Sequence, residues 1–238
     1  MKKTDQIICC ILIWARKKPL LFRFTLGVKI LLALGFIPTG AVKVAGLRFA
    51  TNLDITSGAG KFFEILYQSG YYWSFLGWAQ VLAGLLILWE RTAAIGSILF
   101  FALIANIFFI TISYDFSYTP VVSSLIMLAS LWLVFWEWHR IRYLFLTNSI
   151  PFLDLKQLNL SSTFEKAVYV IGFTSGLLFF TALRGLQLPI FLVYILLIVM
   201  VICFIIAILF GFKANRSSIQ VKHDTDNMIQ HGHNRTKP

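Results

Sequence analysis

Between residues 73 and 136 formal charge occurs only at Glu90, Arg91 and Asp115. A helix crossing the roughly 30 Å hydrocarbon core of a bilayer needs about 20 predominantly apolar residues. Residues 71–89, 92–112 and 118–136 each approach or reach that length without a charge. Inside lipid the backbone N–H and C=O groups find no water, so these segments must satisfy themselves as helices. Short turns join them, which makes neighbours antiparallel. With 58% hydrophobic and 13% charged residues, the chain of 238 lies outside the soluble globular range.

Three further apolar stretches complete the pattern: about 24–42, with Lys29 and Pro38 inside it, then 167–183 and 188–210. The fold class is therefore an all-α integral membrane protein of six spans. Its organisation reads as a basic interfacial segment (1–23), a four-helix transmembrane unit (24–146) and a connecting segment (147–164). A two-helix transmembrane hairpin (165–212) and a polar, aperiodic tail (213–238), expected to be disordered, follow. Thr119-Pro120 and the capping-box spacing Ser162-Thr163-Phe164-Glu165 mark two helix starts.

The net charge of +11 points to anionic lipid headgroups and not to nucleic acid, because it sits in the tails and alternate loops. One side gathers Lys2, Lys3, Arg16, Lys17, Lys18 and Arg23, then Arg91, Arg140, Arg142, Lys156, Lys166 and the basic residues of the tail. The other side holds Lys43, Arg48, Lys61 and Arg184. Cytoplasmic loops carry the excess of Lys and Arg, so both termini are expected in the cytoplasm. The apolar residues 7–15 run into Arg16-Lys17-Lys18 and not into a small-residue cleavage site. That favours a retained interfacial helix over a signal peptide.

Polar groups within spans are costly in lipid and are the natural candidates for function. Gln80 shares a helical stripe with Trp73, Gly77, Gly84 and Arg91, and Gly77 and Gly84 would let another helix approach beside the amide. Asn106 shares a face with Leu99, Ala102 and Ser113 in the next span. A Gln80–Asn106 contact would either hold the bundle or line a small-molecule pocket, and the sequence leaves both open. Lys29, Ala33, Phe36, Gly40 and Lys43 form a stripe on the first span. Helical side chains lean toward the N-terminus, so Lys29 is expected to snorkel to the near interface. Lys43 leans back into the membrane and needs a carboxylate (Asp115 or Glu64), a carbonyl or a ligand. Gly172 and Gly176 form a packing pair in the fifth span.

Cys9, Cys10 and Cys203 have no metal or redox spacing, and no histidine lies in a span. A phosphate loop, a dinucleotide fingerprint, an HExxH and a CxxC are all lacking. No metal site is expected, and no catalytic residue can be assigned.

Residues 24–145 resemble the DoxX-like family of four-helix membrane proteins. The resemblance rests on Gly40-Ala41-Val42-Lys43, the aromatic stretch 62–72, and Trp78-Ala79-Gln80-Val81-Leu82-Ala83-Gly84-Leu85-Leu86. It continues through Glu90-Arg91-Thr92-Ala93-Ala94-Ile95-Gly96, Ala105-Asn106-Ile107, Thr119-Pro120 and Trp136-Glu137-Trp138-His139-Arg140. It implies an antiparallel DoxX-like bundle in a bacterial cytoplasmic (inner) membrane, linked to redox metabolism. Relatives include subunits of a thiosulfate:quinone oxidoreductase. The function so implied is a membrane component of a quinone-linked complex with membrane or soluble redox partner proteins. Its pocket would draw on Gln80, Asn106, Lys43, Arg91 and Asp115. Two features depart from the family: many members carry a glutamate where Gln80 stands, and the hairpin and tail lie outside the family unit. The fold is also akin to that of vitamin K epoxide reductase relatives, whose CxxC is missing here. The alternatives are a non-enzymatic scaffold or assembly factor using the Gly172–Gly176 face, and a small-solute transporter.

Overall fold

The computed structural model describes residues 2–48, 56–114, 118–145, 162–183 and 189–234. They form α1 (Lys2–Arg16), α2 (Pro19–Val44), α3 (Gly58–Gln68), α4 (Tyr71–Leu88) and α5 (Ala93–Ser113). Then come α6 (Thr119–Trp136), α7 (Trp138–Phe145), α8 (Thr163–Ala182) and α9 (Ile190–Asn234). Six of these, α2, α4, α5, α6, α8 and the Ile190–Ala214 part of α9, are long and apolar enough to cross a membrane. The chain is a multi-pass membrane protein whose exposed apolar faces meet lipid.

Helices α2, α4, α5 and α6 close into a four-helix ring, each packing on the next and α6 returning to α2. Leu32, Ala33 and Phe36 of α2 meet Ala83 and Ile87 of α4, Phe100 and Ile104 of α5, and Leu133 of α6. The Phe36 and Phe100 rings lie 4.0 Å apart at their centroids. Trp132 Nε1 donates to Thr25 Oγ1 at 3.0 Å, tying α6 to α2. The α8–α9 hairpin covers another side of α2, so α2 is the helix on which both units are assembled.

Glycine sets how closely α2 meets α4. A Cβ on Gly40 would lie 2.7 Å from the Gly77 carbonyl oxygen, and one on Gly77 would lie 2.7 Å from that of Gly40. The backbones therefore touch at this level, which only a pair of residues without Cβ allows. Just beyond, α2 ends in a Schellman motif: Gly46 N–H donates to Lys43 O and Leu47 N–H to Val42 O, both at 3.0 Å. Gly46 adopts φ 69°, the left-handed conformation this motif requires.

The segmentation differs from the sequence reading in three places. The first span starts at Pro19 and not near residue 24, because proline is preorganised for the first turn and carries no N–H to leave unpaired. Thr119 does not cap α6; Tyr118 precedes the helix and makes no side-chain cap bond. The backbone beyond residue 213, expected to be disordered, continues α9 to Asn234. No proline interrupts 213–234, and extending an existing helix avoids the nucleation penalty that a separate one would pay. Residues 146–161, most of the expected connecting segment, lie outside the described residues.

Candidate functional site

Two polar clusters occupy opposite ends of α2. At its C-terminal end the Gly40–Gly77 contact brings Lys43 against α4. Lys43 Nζ donates to Gln80 Oε1 at 2.6 Å, and the ammonium lies 5.3 Å from the centroid of the Trp73 ring. Trp73 is 2% exposed, and its Nε1 donates to Leu47 O at 3.0 Å, the carbonyl presented by the Schellman turn. Helix α3 lies alongside. Tyr67 stacks edge-on against Trp73, with centroids 5.9 Å apart, and its hydroxyl donates to Gly46 O at 3.3 Å. Arg48 holds Glu64 in a two-point pair at 2.7 and 3.1 Å. The hydrogen bonds from Arg48 and Gln68 keep the Glu64 carboxyl below the usual carboxylate range. Glu64, one of the two acids expected for Lys43, is thus committed to Arg48.

Gln80 is 6% exposed, inside a span. An ammonium only donates, so the amide must turn its oxygen to Lys43 and its NH2 away. Among the described residues nothing accepts from that NH2. The cluster therefore offers a cation that orients an amide and two amide N–H donors without an acceptor among the described residues. This chemistry suits a carbonyl or anionic oxygen.

The other expected pocket residues do not converge here. Asn106 lies on the exposed side of α5 and not against Gln80. Ile104 and Phe100 turn inward, and two residues beyond Ile104 a helix has rotated to its opposite face. Arg91 is exposed at the α4–α5 turn, at the far end of α4 from Lys43. Asp115 lies outside the described residues. Gly84 packs on Ile37 of α2, while Gly172 and Gly176 pack within the chain, against Cys203 and against Leu34 and Met200.

At the other end of α2, sequence reasoning missed a buried ionic cluster. Lys29 does not snorkel to water. Its Nζ lies 3.0 Å from Glu137 Oε1, and Glu137 is 2% exposed. The lean toward the helix N-terminus is as expected, but it ends on a carboxylate supplied by the α6–α7 turn. Arg140 reaches the other oxygen of Glu137 at 3.3 Å and the carbonyl of Glu90. Arg16 of α1 donates to the carbonyl of Trp136 at 2.9 Å, caps the end of α6, and lies 3.2 Å from His139 Nδ1. Since Arg16 only donates, His139 accepts there and carries its proton on Nε2. Burial, reinforced by Arg16 and Arg140 and opposed by Glu137, pushes His139 down to about 4. Arg142 donates to Cys9 Sγ at 3.0 Å, holding α7 to α1. One signal was available: a chain with only ten acidic residues places one of them between Trp136 and Trp138.

A third pair joins the two units. Arg23 of α2 binds Glu165 of α8 through both carboxylate oxygens, at 2.6 and 3.1 Å. Half of the expected capping box forms, with Ser162 Oγ accepting from Glu165 N–H at 3.1 Å. The Glu165 side chain goes to Arg23. Among the described residues no group of three or more His, Cys, Asp or Glu is placed to hold a metal ion.

No protein-family model matches the chain. No solved structure does either. Among curated proteins it is similar to the uncharacterized protein YwoB of Bacillus subtilis (strain 168), 35% identical over 92 residues. That match covers 37% of this chain and 60% of YwoB, so the chain spans about three-fifths of the relative's length.

Proposed function

We propose that the chain is a DoxX-like membrane component of a quinone-linked redox complex, and that Lys43, Gln80 and Trp73 form its quinone site. The observation that carries this reading is the buried Gln80 amide, turned by Lys43 so that its NH2 faces away without an acceptor among the described residues. A quinone carbonyl supplies that acceptor, and Trp73 holds the Lys43 ammonium beside the amide. Gln80 binds the ligand; Lys43 positions Gln80. The resemblance of residues 24–145 to the DoxX-like family supplies the redox context. The distribution of Lys and Arg supports cytoplasmic termini in a bacterial inner membrane, which puts this site toward the opposite face.

Within the chain Gly172 and Gly176 are covered by Leu34, Met200 and Cys203. They leave no open small-residue face for a scaffold to use, so the redox reading is preferred.

The test is quinone retention by the gently solubilised protein, read by ultraviolet–visible spectroscopy and mass spectrometry of the extract. Gln80→Leu keeps the volume but loses the donor to the ligand. It is expected to bind quinone about tenfold more weakly, the weight of one hydrogen bond. Unchanged retention in folded Gln80→Leu would remove this site from consideration.

A further inference from the structure

Helix α1 has two dissimilar long faces. Cys9, Leu12 and Ala15 are buried, and with Arg16 they lie toward α7 and the end of α6. On the opposite face Ile7 is 60% exposed, Ile11 48% and Trp14 60%. Their steps of four and three residues put them in one stripe. Lys17 and Lys18 are exposed where this stripe ends, and Lys18 Nζ lies 5.7 Å from the centroid of the Trp14 ring. Large apolar side chains left uncovered beside lysines are the composition of a helix lying in a bilayer interface. Trp and Lys are residues that settle at headgroup level, the indole edge and the ammonium wet and their stems in apolar surroundings.

The depth of α1 follows from α2. Its 26 residues span about 39 Å at ~1.5 Å per residue, longer than the roughly 30 Å hydrocarbon core. The Pro19 end therefore extends into a headgroup layer, and α1 joins it through Lys17 and Lys18 alone. The bonds from Arg16 to Trp136 and His139, and from Arg142 to Cys9, hold α1 against the ends of α6 and α7. At that depth the occupant of the exposed stripe is lipid, and the sign of Lys17 and Lys18 selects anionic headgroups.

We infer that α1 is a docking surface for anionic phospholipid. Ile7, Ile11 and Trp14 enter the acyl boundary, and Lys17 and Lys18 bind headgroup phosphates. The inward bonds make this a fixed part of the molecule. It stands independently of the quinone reading, since none of its residues touches Lys43, Gln80 or Trp73.

Exposed Cys10 gives a direct probe, with buried Cys9 replaced by serine and Cys203 by alanine. A nitroxide on Cys10 of the full-length protein is measured in nanodiscs of phosphatidylcholine with and without phosphatidylglycerol. Collision with oxygen and with a water-soluble nickel chelate gives its depth. The expected result is a label at the headgroup–acyl boundary that moves deeper as phosphatidylglycerol is added. Native mass spectrometry is expected to show several-fold enrichment of phosphatidylglycerol on the wild type, abolished in Lys17→Gln/Lys18→Gln. A label as accessible to nickel as one in bulk water overturns the docking surface. Equal retention of the two lipids by the wild type overturns the anionic preference, and neither measurement needs the lysine variant to fold.

Discussion

His139 is the residue whose protonation most directly tests the packing where α1 and α7 meet the end of α6. Burial, reinforced by Arg16 and Arg140 and opposed by Glu137 and the Trp136 carbonyl, holds its pKa at about 4 against an ordinary 6.5. Between these values the unfolded chain binds a proton that the folded chain refuses, so stability rises with pH across this window. The contribution is complete above about 6.5 and is lost as pH falls toward 4. Denaturant titrations of the wild type against His139→Gln, from pH 7 to pH 4, isolate it from the carboxylates that titrate nearby. The variant keeps an acceptor for Arg16 and is expected to lose less stability on acidification; parallel curves would show that His139 is not held neutral. None of this was legible in the sequence. His139 stands beside Trp138 at a helix end in either description, and what lowers its pKa is burial, reinforced by Arg16 from more than a hundred residues away. Lys29 teaches the same point. Its direction followed from helix geometry, but its end point depended on Glu137, which only the closing of α6 onto α2 supplies.

At the scale of elements, α2 and α4 show which sequence signals transfer to structure. The stripes containing Gly40 and Gly77 could be read by helical spacing, and both glycines are where two helix backbones meet. The spans too were legible, since length and freedom from charge are local properties. Which helix would face which glycine was not, because that is decided by the whole ring of contacts; the spacing points Gln80 toward Asn106 on α5, and it meets Lys43 on α2 instead. Glycines of the same composition also differ sharply by place. Gly77→Ala would set a methyl 2.7 Å from the Gly40 carbonyl oxygen and 2.8 Å from Val44 N, both backbone atoms that cannot rotate away. Gly35→Ala meets nothing within 4 Å. Gly77→Ala is therefore expected to cost about 1–3 kcal/mol by overpacking. Gly35→Ala should be neutral or gain up to about 1 kcal/mol from helix propensity. Unfolding of both in the same detergent decides it, and equal stabilities would mean that the close α2–α4 approach is not real.

For the whole molecule the question is what holds the hairpin on α2 when the four-helix ring is closed without it. Two contacts answer it. Gly176 lets α8 approach so closely that a Cβ there would lie 2.9 Å from Leu34 Cδ1. Arg23 and Glu165, 7% and 0% exposed, form a two-point ion pair between α2 and α8. A buried pair is weak evidence of net stability, since desolvation offsets its attraction, yet removing one partner leaves a charge with nothing to balance it. The prediction separates these two statements. Glu165→Ala is expected to destabilise the protein by about 3–5 kcal/mol. Arg23→Leu/Glu165→Leu, which removes both charges and restores apolar volume, is expected to lie within about 1–2 kcal/mol of the wild type. Denaturant unfolding of the two variants and the wild type tests both. If Glu165→Ala alone were neutral, the hairpin would be held by apolar packing and the pair would be incidental. If the double variant were as damaged as the single, the ion pair itself would be what fixes the hairpin on α2.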